Sequence, residues 1–266
     1  MKFNINNLEK SYNETKVING ASFEFEDGKI YGLLGRNGAG KTTLFNCING
    51  DIPFNSGSFS LDGAALSPRD IGYVLSTPNV PDFLTGREFV KFFLDVNPIP
   101  GADIDSLFEI VKIAEPDRNK LMKDYSHGMK NKVQMLIALI SSPKILLLDE
   151  PLTSLDVVVS EEMKALLKRY KDGRITIFST HILDLAVDLC DEIVLLSHGK
   201  LERVDNASLG NDEFKERIIT ALRDDDGVVE RISDATFIDS KGAVSNGNDK
   251  IPASSEPSGS DTVIFE

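Results

Sequence analysis

The fold of this 266-residue chain is decided by one stretch of nine residues, Gly35-Arg36-Asn37-Gly38-Ala39-Gly40-Lys41-Thr42-Thr43. It matches the pattern G-x-x-x-x-G-K-S/T and lies between an apolar run at 30–34, which predicts a buried strand, and a predicted helix. Glycines let the backbone bend so that successive N–H groups point inward at an anion, and a helix N-terminus adds partial positive charge. The stretch therefore predicts a loop that binds the phosphates of a nucleotide.

Two side chains of this loop carry further chemistry. Lys41 places a full positive charge against the phosphates, and Thr42 supplies a hydroxyl that can hold a Mg²⁺ ion bridging them. A glycine-rich turn without a ligand is the alternative. That alternative is disfavoured, because the pattern arises by chance in about one chain in a hundred of this length.

The net charge and the cysteines limit the classes of protein to which this chain can belong. Asp and Glu number 42 against 29 Lys and Arg, and the resulting net charge of −13 argues against nucleic acid as the main partner. Cys47 and Cys190 lie in apolar surroundings, which is typical of free thiols in a reducing compartment. With no apolar run of membrane-spanning length and no export signal, the sequence predicts a cytoplasmic protein that would need another polypeptide to work at a membrane.

Apolar runs alternate with helical patterns, which predicts an α/β fold: a P-loop NTPase core with a mostly parallel sheet, an N-terminal antiparallel β part and an inserted α-helical subdomain. The predicted strands are 3–8, 21–25, 30–34, 58–61, 71–75, 145–148, 175–179, 192–196 and 200–204. The helical subdomain is predicted at about 81–142, and it opens with a capping box from Thr85 to Glu88 ahead of three phenylalanines, Phe89, Phe92 and Phe93.

The chain is thus divided into a nucleotide-binding domain at 1–204 and an acidic C-terminal extension at 205–266. The extension carries fourteen acidic and six basic residues, a net charge of −8. One helix at 213–223, a flexible run at 240–261 and a small hairpin joining 235–238 to 262–265 are predicted within it.

Three side chains follow predicted strands of the core. Asp149 and Glu150 end the apolar run at 145–148, where a carboxylate faces a bound Mg²⁺ directly or through water. Asp149 is therefore the predicted metal partner, and Glu150 the base that accepts a proton from an attacking water. His181 follows the strand at 175–179 and is predicted to donate to the terminal phosphate. A solvated turn and a surface histidine are the alternatives.

Six motifs, in this order, resemble those of the ATP-binding subunits of ABC transporters: Tyr12, Gly35 to Thr43, Tyr125-Ser126-His127-Gly128-Met129, residues 145–151, Ser154-Leu155-Asp156 and His181. The resemblance covers about residues 1–204, and the form of the third motif is most similar to exporter subunits. It implies that Tyr12 stacks on adenine, that Ser126 and Gly128 contact ATP held by another copy, and that Asp156 belongs to the D-loop. ATP and Mg²⁺ are the implied cofactors.

The resemblance also implies the partners: separate transmembrane subunits, and a second copy of the chain or a homologous ATPase subunit in a head-to-tail dimer. The groove that receives the transmembrane subunit is expected between residues 76–85 and the helix that carries the three phenylalanines. Drug, peptide or lipid-like material is the expected cargo of such an exporter, although import remains open because the membrane partner sets the direction.

Three positions depart from the family pattern. Ser76 stands where a glutamine usually touches the metal, so its shorter side chain needs a water bridge or further loop closure to reach Mg²⁺. In the third motif His127 and Met129 replace a glycine and a glutamine. A soluble ABC ATPase of translation, repair or cofactor assembly is the alternative function, but tandem cassettes, long coiled-coil insertions and a basic surface are not seen in this sequence.

Overall fold

The computed structural model describes residues 1–153, 155–204 and 218. The predicted helix at 213–223, apart from Ile218, lies outside the described residues, as do the predicted flexible run and hairpin of the extension. Among the described residues, no helix has the length and apolar character needed to cross a membrane.

In the part of the chain that the structure describes, the core is a six-stranded sheet in the order β10-β9-β3-β8-β7-β6, in which only the edge strand β10 is antiparallel. Its strands are β3 Ile30–Leu34, β6 Ile71–Val74, β7 Ile145–Asp149, β8 Ile175–Thr180, β9 Glu192–Ser197 and β10 Lys200–Val204. Parallel strands covered on both faces read as continuous apolar runs, and β3, β7 and β8 are buried at every residue. The predicted mostly parallel sheet is confirmed.

A second, antiparallel sheet has the order β2-β1-β4-β5. Its strands are β1 Lys2–Tyr12, β2 Thr15–Glu26, β4 Ser56–Leu61 and β5 Ala64–Ala65. β1 and β2 extend beyond their predicted bounds, and their pairing shifts register between Ile5 and Leu8 and again near Ser11. Such irregularities break the alternation of apolar and polar residues on which the sequence prediction depended.

Within residues 1–204, three helices flank the sheets: α1 Lys41–Asn49, α6 Val157–Arg169 and α7 Leu183–Leu189. Helix α6 buries Met163, Leu166 and Leu167, and the helical spacing of these residues within 160–170 of the sequence predicts this core-facing apolar stripe. Helix α7 was not predicted, since seven residues are too few for a clear helical period. It follows directly on β8 and packs Ala186 below Gly32, where an added Cβ would lie 3.2 Å from that methyl group.

The helical subdomain predicted at about 81–142 lies between β6 and β7 in the chain. Its helices are α2 Gly86–Val96, α3 Ile104–Ile110, α4 Glu115–Arg118 and α5 His127–Ile140. The predicted capping box is present, because Thr85 accepts from the Glu88 amide and the Glu88 carboxylate accepts from the Thr85 amide. Of the three phenylalanines, Phe89 is half-buried against the subdomain's core, whereas Phe92 is 61% exposed.

Candidate functional site

The nucleotide loop joins the buried carboxyl end of β3 to the first residue of α1. Gly40, the residue before α1, has a φ of 100°, and a Cβ built on it would lie 2.7 Å from Val17 Cγ1. Gly38 also has a positive φ, of 85°. Only glycine meets both demands at position 40, so the loop keeps its amides turned toward one concave surface.

Lys41 lies at the bottom of this concave surface. Its buried ammonium donates to the Gly35 carbonyl at 2.7 Å and the Arg36 carbonyl at 3.0 Å, and it lies 3.5 Å from Glu150 Oε1. Burial lowers the pKa of Lys41, while the neighbouring charges of Glu150 and Asp149 act in the opposite direction. The side chain is therefore a desolvated cation placed where phosphate oxygens would bind.

A chain of hydrogen bonds orients the two carboxylates at the end of β7. The Thr42 hydroxyl donates to Asp149 Oδ2 at 2.8 Å, and the Ser179 hydroxyl donates to Asp149 Oδ1 at 2.6 Å. Ser179 also accepts from the Glu150 amide at 2.9 Å. The hydroxyl of Thr42 and the carboxylate of Asp149 thus meet as a pair of hard oxygen donors, the ligand type that Mg²⁺ prefers.

Glu150 is held beside the phosphate loop by an uncommon backbone conformation. Its φ is 46°, in the left-handed region, and its carboxylate lies 3.1 Å from His181 Nδ1 and 3.3 Å from the Thr153 hydroxyl. The positive φ costs free energy and persists only because the surrounding bonds impose it. One carboxylate oxygen thus lies between the Lys41 ammonium and the His181 ring, close to the expected position of a terminal phosphate.

These groups surround one cleft of about 260 Å³. It is lined by Arg36, Asn37, Gly38, Gly40, Lys41, Thr42, Thr43, Ser76, Asp149 and Glu150. Predicted phosphate, metal and base residues therefore meet in space, and Ser76 reaches the cleft edge. A cation, turned amides and paired oxygen donors suit the triphosphate of ATP with Mg²⁺.

The other predicted residues do not line this cleft. Tyr12 is 46% exposed, with the Lys10 ammonium 4.7 Å from its ring centre. Ser126 caps α5 by accepting from the Met129 amide at 3.2 Å, and Asp156 caps α6 by accepting from the Val159 amide at 3.0 Å.

Gly128 packs near Val159, where an added Cβ would lie 3.4 Å from that side chain, and Ser154 lies outside the described residues. The adenine-stacking role of Tyr12, and the roles of Ser126, Gly128 and Asp156 toward a second copy, remain predictions. All of these described positions except Gly128 are exposed in the single copy.

Sequence reasoning missed Ser179, which joins Asp149 to the backbone of Glu150. The available signal was a polar residue near the carboxyl end of the apolar strand β8, adjacent to β7 in the sheet. Its partners are 29 and 30 residues away in the chain, and the adjacency of the two strands is a property of the folded sheet.

We expect Ser179→Ala to lower the free energy of unfolding by about 1–3 kcal/mol, because it leaves the part-buried amide of Glu150 and a buried carboxylate oxygen of Asp149 without their partner. Urea denaturation of the nucleotide-free protein measures this change. Ser58→Ala, at an exposed serine of β4, is the matched control. A loss no larger for position 179 than for position 58 would contradict the proposed bridging role.

The fold and the site together define a P-loop nucleoside triphosphatase. Residues 18–153 match the family model described as ABC transporter. Lantibiotic transport ATP-binding protein SrtF of Streptococcus pyogenes is 33% identical over 201 residues, covering 74% of this chain and 87% of that protein. The chain belongs to the ABC transporter ATP-binding family.

Two further relatives show the breadth of this family. Sulfate/thiosulfate import ATP-binding protein CysA of Synechocystis is 31% identical over 218 residues, covering 78% of this chain and 61% of that protein. The solved structure of cbiO1 from Clostridium perfringens, part of the ABC transporter complex cbiONQ, superposes with a TM-score of 0.69 at 26% identity, covering 83% of this chain and 94% of that one. Members of the family bind ATP with Mg²⁺ and hydrolyse it, so this chain is an ATPase. They pair with transmembrane subunits and form dimers.

Proposed function

We propose that this chain powers the export of drug, peptide or lipid-like cargo through separate transmembrane subunits, by closing and reopening a head-to-tail dimer around ATP. The proposal is based on one observation: the residues expected to contact ATP lie at two separate places on the molecule. Phosphate, metal and base residues line one cleft, whereas Ser126 and the N-terminus of α5 lie exposed outside it. One copy therefore presents two complementary half-sites, and a second copy, or a homologous ATPase subunit, completes each of them.

Within one half-site the chain's own groups bind and orient the nucleotide. The Lys41 ammonium exchanges its bonds with the Gly35 and Arg36 carbonyls for bonds with phosphate oxygens. Thr42, Asp149 and, through water or loop closure, Ser76 would hold Mg²⁺, which neutralises charge on the phosphates when bound. Tyr12 stacks on the adenine ring from outside the cleft.

Glu150 and His181 divide the catalytic work. The Glu150 carboxylate accepts a proton from the attacking water, and the His181 imidazole beside it donates to the terminal phosphate. In the nucleotide-free state the Lys41 ammonium neutralises part of the charge of the Glu150 carboxylate. When phosphate binds to Lys41, this pairing weakens and the carboxylate becomes available as the base.

The opposing half-site is the start of α5. Ser126 caps this fourteen-residue helix, whose amides and dipole attract a phosphate, and Gly128 lies in its first turn without a side chain. Asp156, at the start of α6, lies next to Val159, the residue that Gly128 packs against. Replacement of the usual glycine and glutamine by His127 and Met129 leaves these backbone donors in place.

The surface offered to the transmembrane partner is the apolar rim along residues 76–85 and α2. Phe83 is 79% exposed and Phe92 is 61% exposed, and Val96 is 63% exposed at the end of the same helix. Large apolar side chains that are exposed on one surface are typical of interaction surfaces. Through this rim the chain would lie on the cytoplasmic face of the membrane, with residues 1–204 as the ATPase domain and 205–266 as an acidic extension.

The Tyr-Ser-His-Gly-Met form of the α5 entry supports export, whereas the relative SrtF is named for lantibiotic transport and its name states no direction. The relative CysA is named for sulfate/thiosulfate import, so import occurs among the proteins similar to this chain. Purification of the chain with its membrane partner after gentle detergent extraction tests the transporter class. A ribosome or a soluble scaffold in place of a multi-span protein would favour the soluble ABC ATPase instead.

Dimerisation is tested with Glu150→Gln, which is expected to bind ATP without hydrolysing it. With saturating ATP and Mg²⁺ we expect this variant to double its mass in light-scattering chromatography and to stay monomeric without Mg²⁺. Adding Ser126→Glu should prevent dimerisation, because a carboxylate would then face the phosphates, whereas Ser58→Glu should not. A Glu150→Gln protein that stays monomeric even with its membrane partner bound would disprove the proposal.

A further inference from the structure

One side chain of α5 forms hydrogen bonds with the loop that carries Ser76, on both sides of this residue. Gln134 Nε2 donates to the Leu75 carbonyl at 3.4 Å, and Gln134 Oε1 accepts from the Asn79 amide at 3.2 Å. The two bonds enclose Ser76 between them. Gln134 is the only glutamine in the sequence, and it is half-buried.

A second contact joins the same loop to the same face of α5. Ser126, Lys130 and Gln134 are spaced four residues apart, which places them along one side of the helix and its cap. The Lys130 ammonium lies 2.7 Å from Asp82 Oδ1, six residues beyond Ser76. The face of α5 that begins at its phosphate-attracting N-terminus therefore continues directly into the support of the loop.

The far end of the loop is tied to the helical subdomain through its backbone. The Met122 amide donates to the Leu84 carbonyl at 2.8 Å, and the Lys123 amide donates to the Asp82 carbonyl at 3.2 Å. The near end continues from β6, which belongs to the core sheet. Gln134 thus acts at the point where the loop passes from the core to the subdomain.

We propose that Gln134 is a positioning residue that sets how far Ser76 reaches into the magnesium–nucleotide cleft, and so couples the α5 half-site to the cleft of its own copy. A serine hydroxyl is too short to adjust its reach by rotamer alone, so the backbone at residues 75–79 determines its distance from the metal. The inference rests on the proposed function, because it concerns the Mg²⁺ held at that cleft.

The test measures Mg²⁺-dependent binding of a fluorescent ATP analogue rather than turnover. Gln134→Met keeps the side-chain volume and the helix propensity but removes both hydrogen bonds. We expect the half-saturating Mg²⁺ concentration to rise about three- to tenfold, the scale of one or two neutral hydrogen bonds. Hydrogen exchange at the Asn79 amide should accelerate in the same variant. Gln134→Glu, which keeps the acceptor for Asn79 but loses the donor to Leu75, provides a second variant should the first not fold.

Rescue distinguishes positioning from a general loss of structure. Adding Ser76→Gln to Gln134→Met lengthens the side chain at the cleft and should return the Mg²⁺ requirement to within about twofold of wild type. Ile137→Leu, three residues further along α5, is the control for altered helix packing and should leave Mg²⁺ dependence unchanged. Wild-type Mg²⁺ dependence in Gln134→Met, or failure of the rescue, overturns the role of Gln134 alone. ATP binding by the wild type without any Mg²⁺ dependence overturns the proposed function as well.

Discussion

Replacing Glu150 by glutamine is expected to lower the rate of ATP hydrolysis by about two to four orders of magnitude, the usual contribution of a general base. An amide oxygen cannot take a proton from water at neutral pH, although it fills the same space. Glu150 Oε1 already lies near Lys41 and His181, so the substitution removes the base without removing the groups that orient it. Nucleotide affinity should therefore stay within a few-fold of wild type.

Phosphate release at saturating ATP measures the rate, and equilibrium binding of ATP with Mg²⁺ measures the affinity. Glu161→Gln is the matched control, because Glu161 is an exposed carboxylate on α6 that pairs with Lys164 and does not line the cleft. If Glu150→Gln retains more than a tenth of the wild-type rate, the base is another group. A parallel loss of affinity would instead indicate that Glu150 binds the nucleotide.

The second large effect is expected from Lys41→Met, which should weaken ATP binding by about 100-fold or more. Charge-assisted hydrogen bonds contribute about 1.5–3 kcal/mol each, and every 1.4 kcal/mol is tenfold in affinity. Methionine keeps most of the length of the buried stem but lacks the ammonium. The residue lies at the first position of α1, among amides that cannot replace a full charge.

Isothermal titration with ATP and Mg²⁺ checks this expectation. Lys164→Met, which removes a cation paired with Glu161 and Asp188 on the outside of the molecule, should bind ATP as the wild type does. Thermal unfolding of both variants without nucleotide shows whether either has lost its fold. An affinity for Lys41→Met within threefold of wild type, in a folded protein, would remove Lys41 from the phosphate site.

Features that consist of neighbouring residues, or that lie at the end of a predicted strand, could be predicted from the sequence. The nucleotide loop is a run of neighbours, so its glycines and Lys41 read as one motif. Asp149 and Glu150 could be placed because a carboxylate that ends a buried parallel strand must lie at the carboxyl edge of the sheet. The capping box at Thr85 and the apolar stripe of α6 depend only on spacing along one helix, and both were predicted.

Other features required the folded chain. Ser179 acts on Asp149 and Glu150 from a neighbouring strand, and the strand order that makes them neighbours is not written in any local pattern. Gln134 hydrogen-bonds to Asn79 and Leu75, which are 55 and 59 residues away in the chain. In the sequence it therefore looked like any other polar residue of α5. The register shifts between β1 and β2 arise from the pairing of the two strands, which no single stretch of sequence shows.

By itself, the sequence determined that this chain has a phosphate-binding loop, an acidic pair at the end of a buried strand and an inserted group of helices, because each follows from spacing and short-range sterics. Only the tertiary structure decided that Thr42, Asp149, Ser179 and Glu150 share one hydrogen-bonded chain, and that Ser126 lies outside the cleft. Both depend on which surfaces the packed strands and helices bring together, and long-range contacts of that kind carry no signal in a local run of residues.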